Sequence, residues 1–140
     1  MDISVAVITL RAKLNDLDKV KFPEDSTLET EIKEVVKELD SEYTVETVPE
    51  EKEYLVIKKA LINSLRLLAI KYSEGLDISS SEIDVDRTTR VKRVLDLASN
   101  IEEDYNKIVN DPSFREIKVN DLDRYVARYD EELKTVLGDG

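Results

Sequence analysis

Asp77, Ser79, Ser81, Glu82, Asp84 and Asp86 place six oxygen-bearing side chains, with Ser80 among them a seventh, within ten residues. That density is what a hard cation such as calcium asks of a loop. An EF-hand loop also needs a glycine at its sharp turn and a bidentate glutamate to close the site, and here Glu82 and Thr88 hold those two places. The stretch therefore reads as a capped, solvated connector, and no metal or other cofactor is expected. Acid and base chemistry by a carboxylate pair needs two Asp or Glu at a set separation with at least one shifted pKa. Nearly every carboxylate falls on a predicted exposed helix face, so no pair is singled out. The chain has no His and no Cys, which removes the usual general base, thiol nucleophiles and disulfides. Its three glycines cannot build a phosphate-cradling loop. The expected class is non-enzymatic.

Charge is the more informative feature. Arg87, Arg90, Lys92 and Arg93 form the one dense basic cluster, and they fall in the first turns of a predicted fourth helix, where the dipole disfavours cations. Three partners stay open for them: Glu82, Asp84 and Asp86 of the same chain, an acidic patch on another subunit, or phosphate. Glu31, Glu34 and Glu38 mark a candidate acidic face on a second helix. Near the C-terminus, Tyr125, Arg128, Tyr129 and Leu133 combine residue types enriched at interface hot spots. Core packing of the two tyrosines is the competing reading.

The net charge of −11 over 140 residues argues against a non-specific nucleic-acid surface, whose affinity comes from cations that neutralise phosphate. The charge is unevenly spread. Up to Glu53 there are 15 acidic and 7 basic residues, a balance of −8; from Tyr54 onward there are 17 and 14, a balance of −3. The apolar run from Ile3 to Leu10 has no basic segment before it and no small-residue cleavage pattern after it, so a cytosolic origin is expected.

These residues need a scaffold, and helical periodicity supplies one. Pro49 to Gly75 reads as a long central helix: Tyr54, Ile57, Leu61, Leu65, Leu68 and Tyr72 share one face, and Val56, Ala60, Leu67 and Ile70 form a second stripe. Only Lys58, Lys59, Asn63, Arg66 and Lys71 interrupt that coat, so neighbours must cover most of its circumference. The same charges leave no run of the roughly 18 apolar residues that a membrane span requires. A first helix is predicted over about residues 3–15, with Asp2 as N-cap, Ile3, Val7, Leu10 and Leu14 inward, and Arg11 and Lys13 in its last turns. A second follows a cap at Asp25 or Ser26, with Leu28, Ile32, Val35, Val36 and Leu39 inward. Its other face, with Glu29, Lys33 and Lys37 among the acids, holds Glu-to-Lys pairs at i, i+4 and reads as solvated.

Ser41 to Val48 is expected to be an extended linker. Leu76 to Asp86 alternates in the short range and is expected to be extended or a β-hairpin. Asp86 would then cap a fourth helix that buries Val91, Val94, Leu95, Ala98, Ile101, Tyr105 and Ile108 and stops at Asn110 to Pro112. A fifth follows Asp121 and ends at Gly138. The sum is one all-α domain over residues 1–140, about five helices around the long central one, with residues 112–140 a C-terminal segment able to dock on a partner.

The order of pieces resembles a known family. Leu10-Arg11, then Leu14-Asn15-Asp16, Phe22-Pro23-Glu24-Asp25 and Leu28 to Ile32, followed by Pro49-Glu50-Glu51, the helix to Lys71-Tyr72, the Ile78 to Asp86 piece and Val91 to Tyr105, is similar to the layout of head-to-tail connector (adaptor, head-completion) proteins of tailed bacteriophages. The resemblance implies a virion protein assembled in the host cytoplasm. It implies a ring, typically dodecameric, under the portal that extends the DNA channel towards a downstream neck or tail protein, with DNA passing unbound. An acidic channel wall would repel DNA and let it slide. On that reading Arg87, Arg90 and Arg93 meet acids such as Glu34 and Glu38 of the next subunit. The chain departs from the family at its C-terminus, a short predicted helix ending in Gly138-Asp139-Gly140. The expectation from another class is a small acidic helical adaptor or regulatory protein that binds a basic or helical partner.

Overall fold

The computed structural model describes residues 1–14, 24–74 and 81–110, the side chains of residue 74 and of residues 81–87 excepted. Among the described residues the chain is all-helical: α1 (Ile3–Lys13), α2 (Asp25–Leu39), α3 (Glu50–Glu74) and α4 (Ser81–Asn110), with a 3₁₀ turn over Val45–Thr47. No strand occurs among them. The predicted fifth helix, and the part of the predicted hairpin over residues 76–80, lie outside the described residues.

Helix α3 is the mast. It packs most extensively against α4, then α2, then α1, and α1 also lies on α2. Leu55, Val56, Ala60, Leu61, Ile62, Leu65, Leu68 and Ala69 are buried along it. The second predicted stripe shifts: Ile70 stays 54% exposed and Leu67 is half-buried, while Leu55, Ile62 and Ala69 take up the contacts. Lys58 is also drawn in, 5% exposed, and donates from Nζ to the Tyr54 hydroxyl at 3.1 Å. Its long aliphatic stem packs while the ammonium keeps a polar partner and lies 5.5 Å from the Tyr54 ring centre. Ser64 is fully buried in the same helix, and its hydroxyl has no hydrogen-bond partner among the described residues.

Helix α1 begins as its sequence requires, with the Asp2 carboxylate accepting from the N–H groups of Ser4 and Val5 at 2.8 and 3.4 Å. Arg11 does more than complement the dipole. It is 2% exposed and its Nε donates to Asp25 Oδ1 at 2.8 Å, which ties the end of α1 to the start of α2. Neither Asp25 nor Ser26 therefore caps α2. Glu24 holds the N-cap position without a side-chain bond, Asp25 is the first helical residue, and Ser26 offers its carbonyl to Thr30. The linker expected to be extended closes on itself instead. The hydroxyl of Thr47 accepts from Thr44 N–H at 2.8 Å, and Val45 and Val48 are buried beneath the turn.

Helix α4 begins at Ser81, five residues before the expected cap at Asp86, so residues 81–86 are neither extended nor a hairpin. Acids at positions 82 and 84 fall in the first turn, where the N-terminal dipole favours them. That gain outweighs the short-range alternation of Ile83 and Val85. The inward face holds Val94, Leu97, Ala98, Ile101, Tyr105 and Ile108, with Leu97 replacing the expected Leu95, which is 42% exposed. The helix is described as far as Asn110, and the expected stop over Asn110 to Pro112 runs beyond the described residues.

Candidate functional site

The charged side chains divide between those that join helices and those that do not. On the α3–α4 seam, Arg66 grips Glu102 with both guanidinium nitrogens, at 2.8 and 2.9 Å. Lys59 reaches the same carboxylate at 3.5 Å and lies 5.5 Å from the Tyr105 ring centre. The hydrogen bonds from Arg66 hold the Glu102 carboxyl below the usual carboxylate range against a smaller effect of burial. The Tyr105 phenol is pushed up, first by burial and then by the negative charge of Glu38. Together these contacts clamp α3 to α4.

The predicted acidic face of α2 resolves into two parts. Glu31 turns inward, half-buried, and accepts from Asn63 Nδ2 on α3 at 3.3 Å. Glu34 and Glu38 are exposed with Lys33 and Lys37 beside them, and with Thr30 they border an open hollow of about 520 Å³. Lys37 donates to the Ser41 carbonyl at 3.2 Å. Lys33, Glu34 and Glu38 make no ion pair among the described residues, so the Glu-to-Lys pairing expected along this face is not formed.

The basic cluster divides as well. With α4 starting at Ser81, residues 87–93 sit in its second to fourth turns, beyond the reach of the N-terminal dipole, so the expected conflict with that dipole does not arise. Arg90 is half-buried, with its guanidinium 4.8 Å from the Tyr72 ring centre on α3. It closes the upper seam and is not a free surface cation. Lys92 and Arg93 are exposed and form no ion pair among the described residues. The side chain of Arg87 and the residues Tyr125, Arg128, Tyr129 and Leu133 lie outside what is described.

Glu38 acts on Tyr105, and Arg93 precedes Tyr105 by twelve residues on one helix, which is roughly 18 Å along the axis. The exposed acids at the end of α2 and the exposed cations of α4 thus lie apart along the α4 axis, and no ion pair joins them among the described residues. The sequence could not show this, because it places both clusters on solvated faces without fixing their separation. Among the described residues there is no group of three or more Asp or Glu placed to hold a metal ion, and no helix is long and apolar enough to cross a membrane. Exposed Val5 and Ile8 on α1 were not singled out by sequence reasoning; the near-uniform apolarity of α1 was the available signal. No family model matches the chain, and neither a curated protein nor a solved structure does.

Proposed function

We propose that the chain is a non-enzymatic structural subunit that works by head-to-tail association, as the ring-forming connector between the portal and the tail of a tailed bacteriophage. The carrying observation is the separation of opposite charge: Glu34 and Glu38 of α2 against Lys92 and Arg93 of α4, each exposed and lacking an ion pair among the described residues. A contact that joins two different patches of identical subunits closes into a ring when the rotation permits. The resemblance of the sequence layout to connector proteins supports the rest of the reading: portal above, neck or tail protein below, and an acidic wall past which DNA slides.

Electron microscopy and light scattering of the purified chain, alone and with the portal protein of the same phage, test this. A ring or a co-complex is expected, and the absence of both overturns the proposal. The double variant Lys92→Glu/Arg93→Glu should keep wild-type helicity and lose the assembly. Arg90→Glu is a poorer probe, since it also breaks the stacking on Tyr72.

A further inference from the structure

The outer stripe of α2 carries a second pattern. Its exposed residues Thr30, Lys33, Glu34, Lys37 and Glu38 are spaced as one helical face. Within that face the charges run in two rows of like sign: Lys33 above Lys37, and Glu34 above Glu38, each at i, i+4. Like charges at that spacing work against an isolated helix, and no ion pair among the described residues relieves Lys33, Glu34 or Glu38. The stripe is also complementary to its own reverse. Turned end for end about a point between Val35 and Val36, Lys33 meets Glu38 and Glu34 meets Lys37.

We infer that this stripe is a docking surface for a second copy of the chain, seated antiparallel across a twofold axis. In that arrangement Lys33 faces Glu38 of the partner subunit and Glu34 faces Lys37 of the partner subunit, and the same pairs recur on the other side of the axis. A parallel arrangement would set each charge against itself, so the pattern selects orientation as well as partner. The stripe itself is neutral, with two cations and two anions, so its contact does not add to the repulsion between copies that each carry −11. Exposed pairs are individually weak, and the association is accordingly weak and reversible. It uses the face that the head-to-tail contact needs, so the twofold pair and the ring exclude each other, and neither inference depends on the other.

Sedimentation equilibrium of the purified chain at concentrations up to about 1 mM reads the pair as a rise from 16.1 kDa towards twice that mass. Lys33→Glu/Lys37→Glu makes the stripe wholly acidic and Glu34→Lys/Glu38→Lys makes it wholly basic. Each alone should associate at least tenfold more weakly than wild type, and their equimolar mixture should restore the doubled mass. The swap Glu34→Lys/Lys37→Glu preserves the reverse complementarity and should leave the pair intact. A wild-type chain that stays at 16.1 kDa overturns the inference, as does association that the single-sign stripes retain, a mixture that fails to associate, or a swap that abolishes the pair. A ring with the portal protein is read separately, so loss of one result does not imply loss of the other.

Discussion

The α3–α4 seam and the outer stripe of α2 use the same two residue types to opposite ends. At the seam one carboxylate, Glu102, is met by Arg66 in a two-nitrogen grip and by Lys59, across a sequence distance of 36 and 43 residues. On α2 the side chains Lys33, Glu34 and Glu38 have no ion pair among the described residues, although each lies within one helical turn of an opposite charge. The difference is geometric. Seam charges come from two helices whose packing is fixed by apolar contacts below them, so the ion pair forms with little further ordering. Stripe charges sit on one exposed helix face, where no packed neighbour fixes their geometry and solvent screens them, so no pair forms among the described residues.

The contrast presupposes that the apolar layer sets the geometry, and its removal should have the largest effect. Leu65→Asp places an ionisable group at a position with no exposed surface, between α3 and its neighbours. The cost is above about 4 kcal/mol, a large part of the about 5–15 kcal/mol that holds a domain of this size together. Circular dichroism should show loss of helix at 25 °C. A variant that keeps its helicity would mean that the helices do not depend on this layer for their packing.

Next comes the seam itself. Glu102→Gln removes the charge that Arg66 and Lys59 share. Because Arg66 and Glu102 keep 40% and 28% of their side-chain surface exposed, solvent screening holds the loss to about 1 kcal/mol. The loss depends on pH. Glu102 ionises more easily folded than unfolded, so its contribution is fully present above the unfolded carboxylate range and disappears as pH falls through the lower, folded value. Wild type and variant should therefore differ in thermal midpoint at pH 7 and converge under acid conditions. A gap that persists in strong acid would assign the effect to packing.

How much of this was legible in the sequence follows from the same physics. The start of α3, the cap of α1 at Asp2 and the inward face of α2 are local in origin, set by periodicity and capping, and they stand within a residue or two of the reading. Periodicity sorts residues by polarity, however, and cannot tell which polar residue will be carried inward. Arg11 and Lys58 are buried because a partner elsewhere, Asp25 for one and the Tyr54 hydroxyl for the other, receives the cation while the stem packs. The start of α4 was hidden by a short alternation that looked like strand, and with it the true position of the basic cluster along the helix. Of the candidate site, the sequence marked the charged residues. It could not show that Glu31 and Arg90 are used up inside the fold, or that Lys92, Arg93, Glu34 and Glu38 are left outside it.

Ser64 sharpens the comparison from the apolar side. Its buried hydroxyl has no partner among the described residues, whereas the seam charges on the same helix are satisfied. Ser64→Ala removes the unpaired group without adding volume, and should raise stability by up to about 1 kcal/mol, or about 3–5 °C in thermal midpoint. A fall of similar size would show that the hydroxyl is satisfied in solution.

The smallest effect, and the most discriminating, belongs to the stripe. Glu34→Gln deletes one charge from the acidic row and relieves its repulsion with Glu38 one turn away, at a position where no ion pair is lost. For the monomer the change should be neutral or stabilising by about 0.2–0.5 kcal/mol, measured by chemical denaturation at low protein concentration. Glu102→Gln, the same chemical substitution on the seam, destabilises. Opposite signs for one substitution at two sites would show that the seam charges belong to the fold and the stripe charges to whatever the stripe binds. Equal losses at both would mean that Glu34 already has a partner within the chain, and the stripe would then have no unpaired charge to offer a second subunit.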